Sequence, residues 1–326
     1  MAGTLVTGAG GTAGGALCRR LAREGGRVVG LVHGRRSAEE LARDGVEPFV
    51  ADVTDPASLA APFRGVDRVF HLAAAFRREH ASRGEFHRVN VEGTRNVLDA
   101  AEKAGVSRFV HCSTVGVHGD VKNPPAAEDA PFAPRDHYQR SKLEGELLAR
   151  ERFAAGLPGA TVRPVGIYGP GDRRFLKLFR LIDRGVFVML GSGKGLYHMT
   201  YIDDLTEGFL LCGEKPEAVG ETFIIGGPRA VPLRELAAAV ADALGRPRPR
   251  LRFPYTPVVT AAWACERICR IFGVAAPLYP RRVSFFHGDR SFSIEKARRL
   301  LGYEPAVPLR EGLARTAAWY RREGWL

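Results

Sequence analysis

The chain has few cysteines and no long uninterrupted apolar run. Its five cysteines are an odd number among 326 residues and lack paired metal-type spacing, which argues against a disulfide framework or a bound metal. The longest apolar stretch, residues 258–276, contains Glu266, Arg267 and Arg270, so we expect no membrane span. Strand-like residues directly after Met1 leave no room for a cleaved signal peptide, and we therefore expect a cytoplasmic protein.

Signatures of other protein classes are missing as well. The sequence has no Gly-Lys-Ser/Thr phosphate loop and no Gly-x-Ser-x-Gly turn, which argues against a P-loop enzyme and a serine hydrolase. The net charge is +12, but its arginines are spread along the whole chain. Because a nucleic-acid interface concentrates its cations on one face, we expect no nucleic-acid partner.

Short β-rich runs alternate with helical patterns through the first half of the chain. The candidate strands are residues 4–7, 27–32, 48–51, 68–72, 108–113 and 160–164. The helical stretches between them are residues 14–23, 38–43, 86–104 and 138–153. This alternation predicts an α/β fold with a doubly wound parallel sheet.

The second half of the chain has a different pattern. It predicts one strand at 221–225 that returns to the sheet, and mainly helical segments at 231–244, 257–272, 294–301 and 309–319. We therefore divide the chain into a nucleotide-binding domain, residues 1–165 with the returning strand, and a smaller, mainly helical substrate lobe, residues 166–326. A crevice between the two is the expected substrate site.

The first candidate strand runs directly into a glycine-rich turn and then a helical segment. Gly8, Gly11 and Gly14 have the spacing Gly-x-x-Gly-x-x-Gly. Such a turn lets the backbone approach a pyrophosphate, whose charge meets free N–H groups at the start of the helix. Because strand, turn and helix follow in the required order, the segment predicts a dinucleotide site.

The end of the second candidate strand bears on the choice between NAD and NADP. A carboxylate there would accept hydrogen bonds from the adenine ribose and repel a phosphate. This chain instead has Arg35 and Arg36, with no acid before Glu39. Because guanidinium groups suit a phosphate, the sequence favours NADP(H), and NAD(H) stays open as the alternative.

Tyr138 and Lys142 have the spacing of a proton-transfer pair. Side chains four residues apart lie on one face of a helix. A nearby ammonium favours the phenolate, so it lowers the tyrosine pKa toward the range of a general acid/base. A hydroxyl pair, Ser113 and Thr114, follows a candidate strand upstream.

These segments, in this order, resemble the extended short-chain dehydrogenases/reductases, in the NAD(P)-dependent epimerase/dehydratase branch, along nearly the whole chain. The resemblance implies a Rossmann-type fold, hydride transfer with a bound nicotinamide, and a homodimer. It assigns the substrate-binding hydroxyl to Thr114 and gives Lys142 a second role at the nicotinamide ribose. It implies further cofactor contacts from Thr12, Ala13, Asp52, Val53, Leu72, Ala73, Ala74, Asn90, Ser113, Tyr138 and Pro164.

Three positions bear on the small-molecule substrate. Where nucleotide-sugar enzymes of the family present anion-binding residues, this chain has Gly166, Tyr197 and Phe286. Other cations are available to replace those contacts, namely Arg173, Arg174, Arg281 and Arg282. The lobe instead supplies apolar residues that we expect mostly in its core: Phe253, Val258, Val259, Trp263, Ile268, Ile271, Phe272, Leu278, Phe285 and Phe286.

The sequence therefore favours an NAD(P)-dependent dehydrogenase or reductase of a secondary alcohol or ketone. The alternative is a nucleotide-sugar 4-epimerase or dehydratase, in which the cofactor is oxidised or reduced only transiently. A third class, a non-catalytic NAD(P)-sensing protein, has no need of the proton-transfer residues that this chain keeps.

Overall fold

The computed structural model describes residues 3–76, 82–274, 276–286 and 288–326. Its strands are β1 (Gly3–Thr7), β2 (Val28–Val32), β3 (Glu47–Val50), β4 (Val66–His71), β5 (Arg108–Cys112), β6 (Gly159–Pro164), β7 (Gly166–Tyr168), β8 (Met189–Leu190), β9 (Leu196–Tyr201), β10 (Thr222–Ile225), β11 (Ala230–Pro232) and β12 (Arg252–Phe253). Its helices are α1 (Thr12–Arg23), α2 (Arg35–Arg43), α3 (Arg83–His87), α4 (Gly93–Ala104), α5 (His137–Ala154), α6 (Leu176–Asp183), α7 (Ile202–Glu214), α8 (Leu233–Leu244), α9 (Tyr255–Ile271), α10 (Pro280–Val283), α11 (Glu295–Leu301) and α12 (Leu309–Arg322).

The main sheet of the described chain has seven parallel strands in the order β10-β6-β5-β4-β1-β2-β3. Two of its inner strands, β1 and β2, are buried at every position. Burial on both faces is what helices above and below a parallel sheet require. Two apolar clusters, one on each face, form the core. The predicted doubly wound Rossmann-type sheet is therefore confirmed, with β10 as the returning strand.

The second half contains more strand than its sequence pattern predicts. Strands β7, β9 and β11 form a small sheet of their own, and β8 pairs with β12. Residues 230–232 form β11, where the sequence predicts the start of a helix. Helix α7 was not predicted at all, although it packs on the main sheet against β6. The division of the chain at 165/166 stays a prediction.

One prediction about the C-terminal lobe is wrong. Phe253, Trp263, Ile268, Ile271 and Phe272 are expected in the lobe core, but all five are more than half exposed. They lie on or beside α9, where Ala262 is the one buried residue in the described helix. An amphipathic pattern marks residues that can be buried, but burial also requires an element that covers them. None of the described helices is long and apolar enough to cross a bilayer.

Candidate active site

The glycine turn between β1 and α1 leaves its backbone open to a ligand. Gly8 has a φ of +70°, and a Cβ there would overlap the backbone of Ala73 at the end of β4. A Cβ on Gly14 would overlap the carbonyl oxygen of Gly8. Among the described residues, no side chain caps the start of α1. The first-turn N–H groups of Thr12, Ala13 and Gly14 are therefore available to an anion such as a pyrophosphate.

Helix α5 carries the candidate proton-transfer pair. Asp136 caps the helix, because its side chain accepts a hydrogen bond of 2.7 Å from the backbone N–H of Gln139. Tyr138, in the first turn, is half-buried, and its ring meets the edges of Phe76 and Phe86 at centroid distances of 5.0 and 6.2 Å. The cap and the two rings fix where the phenol can lie.

Lys142 is buried one turn further along α5, with 2 % of its surface exposed. Its Nζ donates a hydrogen bond of 2.6 Å to the carbonyl oxygen of Cys112, at the end of β5. Burial lowers the pKa of the Lys142 ammonium, and Cys112 and Glu146 oppose that shift. The cation is thus held at the strand end that also carries Ser113 and Thr114.

The two hydroxyls after β5 have different environments. The Ser113 hydroxyl is buried and donates a hydrogen bond of 2.5 Å to the carboxylate of Glu146. The Thr114 oxygen accepts a hydrogen bond of 3.1 Å from the backbone N–H of Gly116, and it caps the short 3₁₀ helix Val115–His118. Because this bond leaves the Thr114 proton unused, Thr114 is the better placed of the two to donate to a substrate.

A cavity of about 580 Å³ extends from the glycine turn to Tyr138 and Lys142. Its size is that of a small-molecule or cofactor pocket. It brings together twelve of the residues that the sequence predicts for the site: Gly8, Gly11, Thr12, Ala13, Gly14, Leu72, Ala74, Ser113, Thr114, Tyr138, Lys142 and Pro164.

Ala73, Val53 and Asn90 lie outside the cavity lining. The Ala73 N–H donates to the Thr7 hydroxyl at 3.1 Å, and the Val53 carbonyl accepts from Asn96 at 2.9 Å. Asn90 is fully buried, and its amide bonds the backbone of Ala75 and the Ser141 hydroxyl. It therefore ties the end of β4 to α5, and direct contacts of these three residues with a cofactor stay predictions.

The predicted adenine-side residues lie at the carboxyl ends of β2 and β3. Arg35 and Arg36 form the first turn of α2, which begins three residues earlier than the sequence predicts. Both are exposed, and the Arg36 Nε pairs with Glu40 at 3.3 Å. Asp52, at the end of β3, accepts a 2.8 Å bond from the Thr54 N–H. None of the three lines the described cavity, so their role at the adenine ribose stays a prediction.

The sequence interpretation missed the segment that closes the cavity from the lobe side. The carbonyl oxygen of Gly171 accepts a 3.1 Å bond from the Thr12 hydroxyl, and that of Asp172 accepts one of 2.6 Å from Tyr320. The Asp172 carboxylate is buried and pairs with Arg174, yet no described residue hydrogen-bonds its Oδ2. Gly169, Pro170 and Gly171 indicate a turn in the sequence, but they do not reveal its contact with the glycine turn.

A buried charge network behind Ser113 was missed as well. Arg163 on β6 is fully buried, and its guanidinium bonds the Glu146 carboxylate, with Nε at 3.1 and 3.2 Å from the two oxygens. Its Nη1 also bonds the Glu128 carbonyl at 2.7 Å and the His118 Nε2 at 3.0 Å. Burial lowers the pKa of His118, with Arg163 acting in the same direction. The one usable signal was that Glu146 lies one helical turn after Lys142.

A seven-stranded parallel sheet with an open glycine turn defines a nucleotide-binding α/β protein. The sequence model of the NAD dependent epimerase/dehydratase family matches residues 4–226. The chain belongs to this family, and so to a family of enzymes.

Named relatives agree with this assignment. The chain is 30 % identical to the Arabidopsis thaliana 3beta-hydroxysteroid-dehydrogenase/decarboxylase isoform 1, over 85 % of this chain and 67 % of that protein. Isoform 2 is also 30 % identical, over 83 % of this chain, but only about half of its length, 51 %, is covered. The 2-alkyl-3-oxoalkanoate reductase of Stenotrophomonas maltophilia is 31 % identical over 96 % of this chain and 98 % of that protein.

A solved structure extends the comparison to a complex. The dTDP-glucose 4,6-dehydratase DesIV of Streptomyces venezuelae, with NAD and TYD bound, superposes with a TM-score of 0.79 at 28 % identity. The match covers 99 % of this chain and 98 % of that chain. This is an NAD-dependent family, and that relative contains NAD in its structure.

Proposed function

We propose that this protein is an NAD(P)-dependent dehydrogenase or reductase that transfers hydride between nicotinamide and a secondary alcohol or ketone. One observation carries the proposal: Tyr138, Thr114 and the buried Lys142 line the same cavity as the glycine turn. Such a cavity has room for a dinucleotide at one end and acid/base chemistry at the other.

The chain's own residues supply the proton chemistry. When bound, the cofactor supplies or accepts the hydride. In the direction of ketone reduction, the Tyr138 hydroxyl donates its proton to the carbonyl oxygen, and the Thr114 hydroxyl donates a hydrogen bond to the same atom. The Lys142 ammonium stabilises the phenolate that remains. In the direction of alcohol oxidation the phenolate takes the proton back.

The cofactor that we propose is NADP(H). At the end of β2 the first turn of α2 presents Arg35 and Arg36, both exposed. A 2′-phosphate beside this turn would meet two guanidinium groups, which bind phosphate well. Asp52 is the carboxylate at the neighbouring strand end, and NAD(H) is the alternative if its oxygens hold the ribose.

The lobe side supports an apolar substrate. Tyr197 is buried, and its hydroxyl donates to the Phe285 carbonyl instead of facing the cavity. Phe286 packs against Phe187 and Phe285, with centroid distances of 6.1 and 5.3 Å. Two positions at which a sugar diphosphate would need cations thus hold packed aromatic residues, and the nearby Arg290 guanidinium lies over the Tyr197 ring at 4.9 Å. A hydroxysteroid or an alkyl-substituted oxoacid, as in the names of the relatives, is a substrate of this more apolar kind.

The second candidate is a nucleotide-sugar 4-epimerase or dehydratase, and Arg173 and Arg174 favour it. Both line the cavity at the lobe side. The Arg173 guanidinium lies over the Trp325 ring at 4.5 Å, and the Arg174 guanidinium lies 5.9 Å from the Phe76 ring. A diphosphate bound in this part of the cavity would meet both guanidinium groups. The side chains of Arg281 and Arg282, two further candidates for this role, lie outside the described residues.

A homodimer belongs to the same proposal. Helices α4 and α5 pack side by side on one face of the sheet, and Leu147 on α5 is 46 % exposed. An exposed leucine on this pair of helices is suited to a contact with a second copy. The expected result is a dimer in sedimentation equilibrium that Leu147→Glu dissociates, whereas Val219→Glu, at a site of equal exposure, leaves it intact.

Net change in nicotinamide absorbance distinguishes the two candidates. We would incubate the enzyme and NADPH with a panel of hydroxysteroid ketones and 2-alkyl-3-oxo acids, and the enzyme and NAD⁺ or NADP⁺ with nucleotide sugars. The proposal expects stoichiometric oxidation of NADPH by at least one ketone of the first two groups. A nucleotide sugar that is converted with no net change in the nicotinamide would assign the enzyme to the epimerase/dehydratase alternative.

A further inference from the structure

Helix α9 exposes an apolar face that nothing in the described chain covers. Fourteen large apolar side chains are exposed in the described residues, and seven of them lie within residues 251–274. Trp263, Ile268, Ile271 and Phe272 are 62, 54, 76 and 74 % exposed. Exposed apolar residues scattered singly are ordinary, but a cluster of this density marks an interaction surface.

A wider segment around α9 holds more than half of the chain's net charge. Residues 246–282 contain eight arginines and a single acid, Glu266, which gives a net charge of +7 out of +12. Arg246 and Arg248 pair with Asp183 and Asp242. In contrast, Arg250, Arg252, Arg267 and Arg270 are exposed and make no ion pair with any described residue.

Cationic and apolar side chains share one side of α9. Trp263, Arg267 and Ile271 follow one another at intervals of four residues, so they line up along the helix. Glu266 is only partly exposed, and Ala262 is the buried contact point of the described helix. The outward side therefore combines aromatic and aliphatic side chains with unpaired arginines.

We propose that α9 and the adjoining residues 250–253 form a surface that docks on an anionic lipid bilayer. A helix that exposes apolar and cationic side chains together is suited to the membrane interface, where the apolar side chains enter the acyl boundary and the long arginines reach the headgroups. Anionic lipids add an attraction for each cation near the surface. The protein would bind the membrane peripherally.

A second copy of the chain is a poorer occupant of this surface. In a two-fold symmetric contact the same patch faces itself. Arg267 and Arg270 would then approach their own copies, and the patch has only the partly exposed Glu266 to offset them. A nucleic acid would satisfy the arginines but not Trp263, Ile271 and Phe272. An anionic bilayer satisfies both kinds of side chain.

Vesicle co-sedimentation tests the proposal. We would compare vesicles of phosphatidylcholine with vesicles of an equimolar mixture of phosphatidylcholine and phosphatidylglycerol. The wild-type chain is expected to bind the mixed vesicles about tenfold or more tightly than the neutral ones, with the difference reduced by salt. Absence of binding to the mixed vesicles overturns the proposal.

Matched variants distinguish vesicle binding by this surface from vesicle binding by the overall charge of the protein. Arg267→Glu/Arg270→Glu and Arg43→Glu/Arg64→Glu change the net charge equally, and all four arginines are exposed. Only the first pair is expected to lose binding, by about 30-fold. Ile271→Ser/Phe272→Ser is also expected to lose vesicle binding, whereas Val186→Ser/Val219→Ser is expected to keep it. Thermal unfolding checks that each variant is folded.

Three results would contradict the proposal even if some vesicle binding occurs. Equal losses in both arginine pairs would mean that overall charge, and not α9, attracts the vesicles. Self-association that Ile271→Ser/Phe272→Ser abolishes, without vesicle binding, would assign the surface to a second copy. If the chain binds a short DNA duplex but not the vesicles, the α9 surface would be assigned to nucleic acid.

Discussion

Helices α5 and α9 have nearly the same length, 18 and 17 residues, and opposite relations between polarity and burial. Helix α5 buries Lys142 and Glu146, two charged residues that proteins normally expose. Helix α9 exposes tryptophan, isoleucine and phenylalanine, which proteins normally bury. Burying charged residues and exposing apolar residues both lower stability, and both features lie where we assign function.

The two helices differ in how the departure is compensated. Within the described residues, the buried charges of α5 have partners: Lys142 bonds the Cys112 carbonyl, and Glu146 bonds Arg163 and Ser113. In the part of the chain that the structure describes, no element covers the exposed side chains of α9. Buried charges that have partners indicate a preorganised site. Exposed apolar side chains without a cover indicate a surface that contacts another molecule.

The largest effect is expected at the cavity end of α5. Tyr138→Phe removes the proton donor and should lower kcat by about 10²–10⁴-fold, the range for loss of a general acid/base. NADP(H) affinity, measured by fluorescence titration, should change little. Tyr255→Phe on α9 is the matched control and should keep full activity. Unchanged turnover in Tyr138→Phe would contradict the proposed mechanism.

Loss of a buried charge partner should be the largest effect on stability. Glu146→Gln leaves the Arg163 guanidinium buried without its counter-ion, which should lower the free energy of unfolding by about 3–5 kcal/mol. Glu151→Gln, at an exposed position of the same helix, should change it by less than about 0.5 kcal/mol. Urea denaturation measures both, and equal values would mean that the network is not a structural unit.

The arginines of α2 should affect cofactor choice more than turnover. Arg35→Ala/Arg36→Ala removes two cations and should raise the Kd for NADPH by about 10–100-fold, since hydrogen bonds to charged groups are worth ~1.5–3 kcal/mol. The Kd for NADH should change only slightly. Arg43→Ala, at the other end of α2, is the control. A parallel change for both nucleotides would contradict phosphate selectivity.

Acid should destabilise the protein through two histidines buried in the main sheet. His71 and His111 are fully buried; burial lowers the pKa of His71 to about 3 and that of His111 well below its usual value, with Lys142 acting in the same direction. The unfolded chain therefore binds more protons, and stability is lost as the pH falls below about 6.5. Neither ring nitrogen of His111 has a hydrogen-bond partner in the described chain.

The expected contribution of His71 between about pH 7 and pH 5 is ~2 kcal/mol of unfolding free energy, and His111 contributes in the same direction. His111→Leu should remove one such contribution, so the variant loses less stability than the wild type over this range. Urea denaturation at the two pH values measures the difference. An identical loss in both proteins would show that His111 titrates normally.

The smallest stability effect is expected on α9. Ile271→Ser and Phe272→Ser replace side chains that are already in solvent, so the free energy of unfolding should change by less than about 0.5 kcal/mol. The same substitution at a buried core residue, Leu98→Ser, should cost about 3 kcal/mol or more. A cost above about 2 kcal/mol for Ile271→Ser would mean that α9 packs against another part of the chain.

The regions that the sequence predicted well are those where a local pattern is enough. Strand β1, the glycine turn and α1 form one continuous signal, because turn chemistry and apolar periodicity both act within about twenty residues. Helical spacing predicts that Tyr138 and Lys142 share one face of a helix, and the glycine turn and the hydroxyl pair at 113–114 supply the rest of the signal. In each of these cases tertiary packing had only to leave the local structure unchanged.

The features that were missed depend on contacts between distant segments. Helix α7 begins with Asp203 and Asp204 in its first turn, and its burial depends on the sheet beneath it. The pairing of Glu146 with Arg163 requires α5 and β6 to be neighbours in space. The exposure of α9 could not be predicted either, since apolar periodicity does not reveal whether the rest of the chain supplies a cover.

A crystal structure with NADP⁺ bound tests the central claim most directly. The account predicts the pyrophosphate at the N–H groups of Thr12 and Ala13, the 2′-phosphate beside Arg35 and Arg36, and the nicotinamide between Pro164 and the Tyr138 hydroxyl. A dinucleotide bound elsewhere, or a Tyr138 side chain turned away from the nicotinamide, would contradict it.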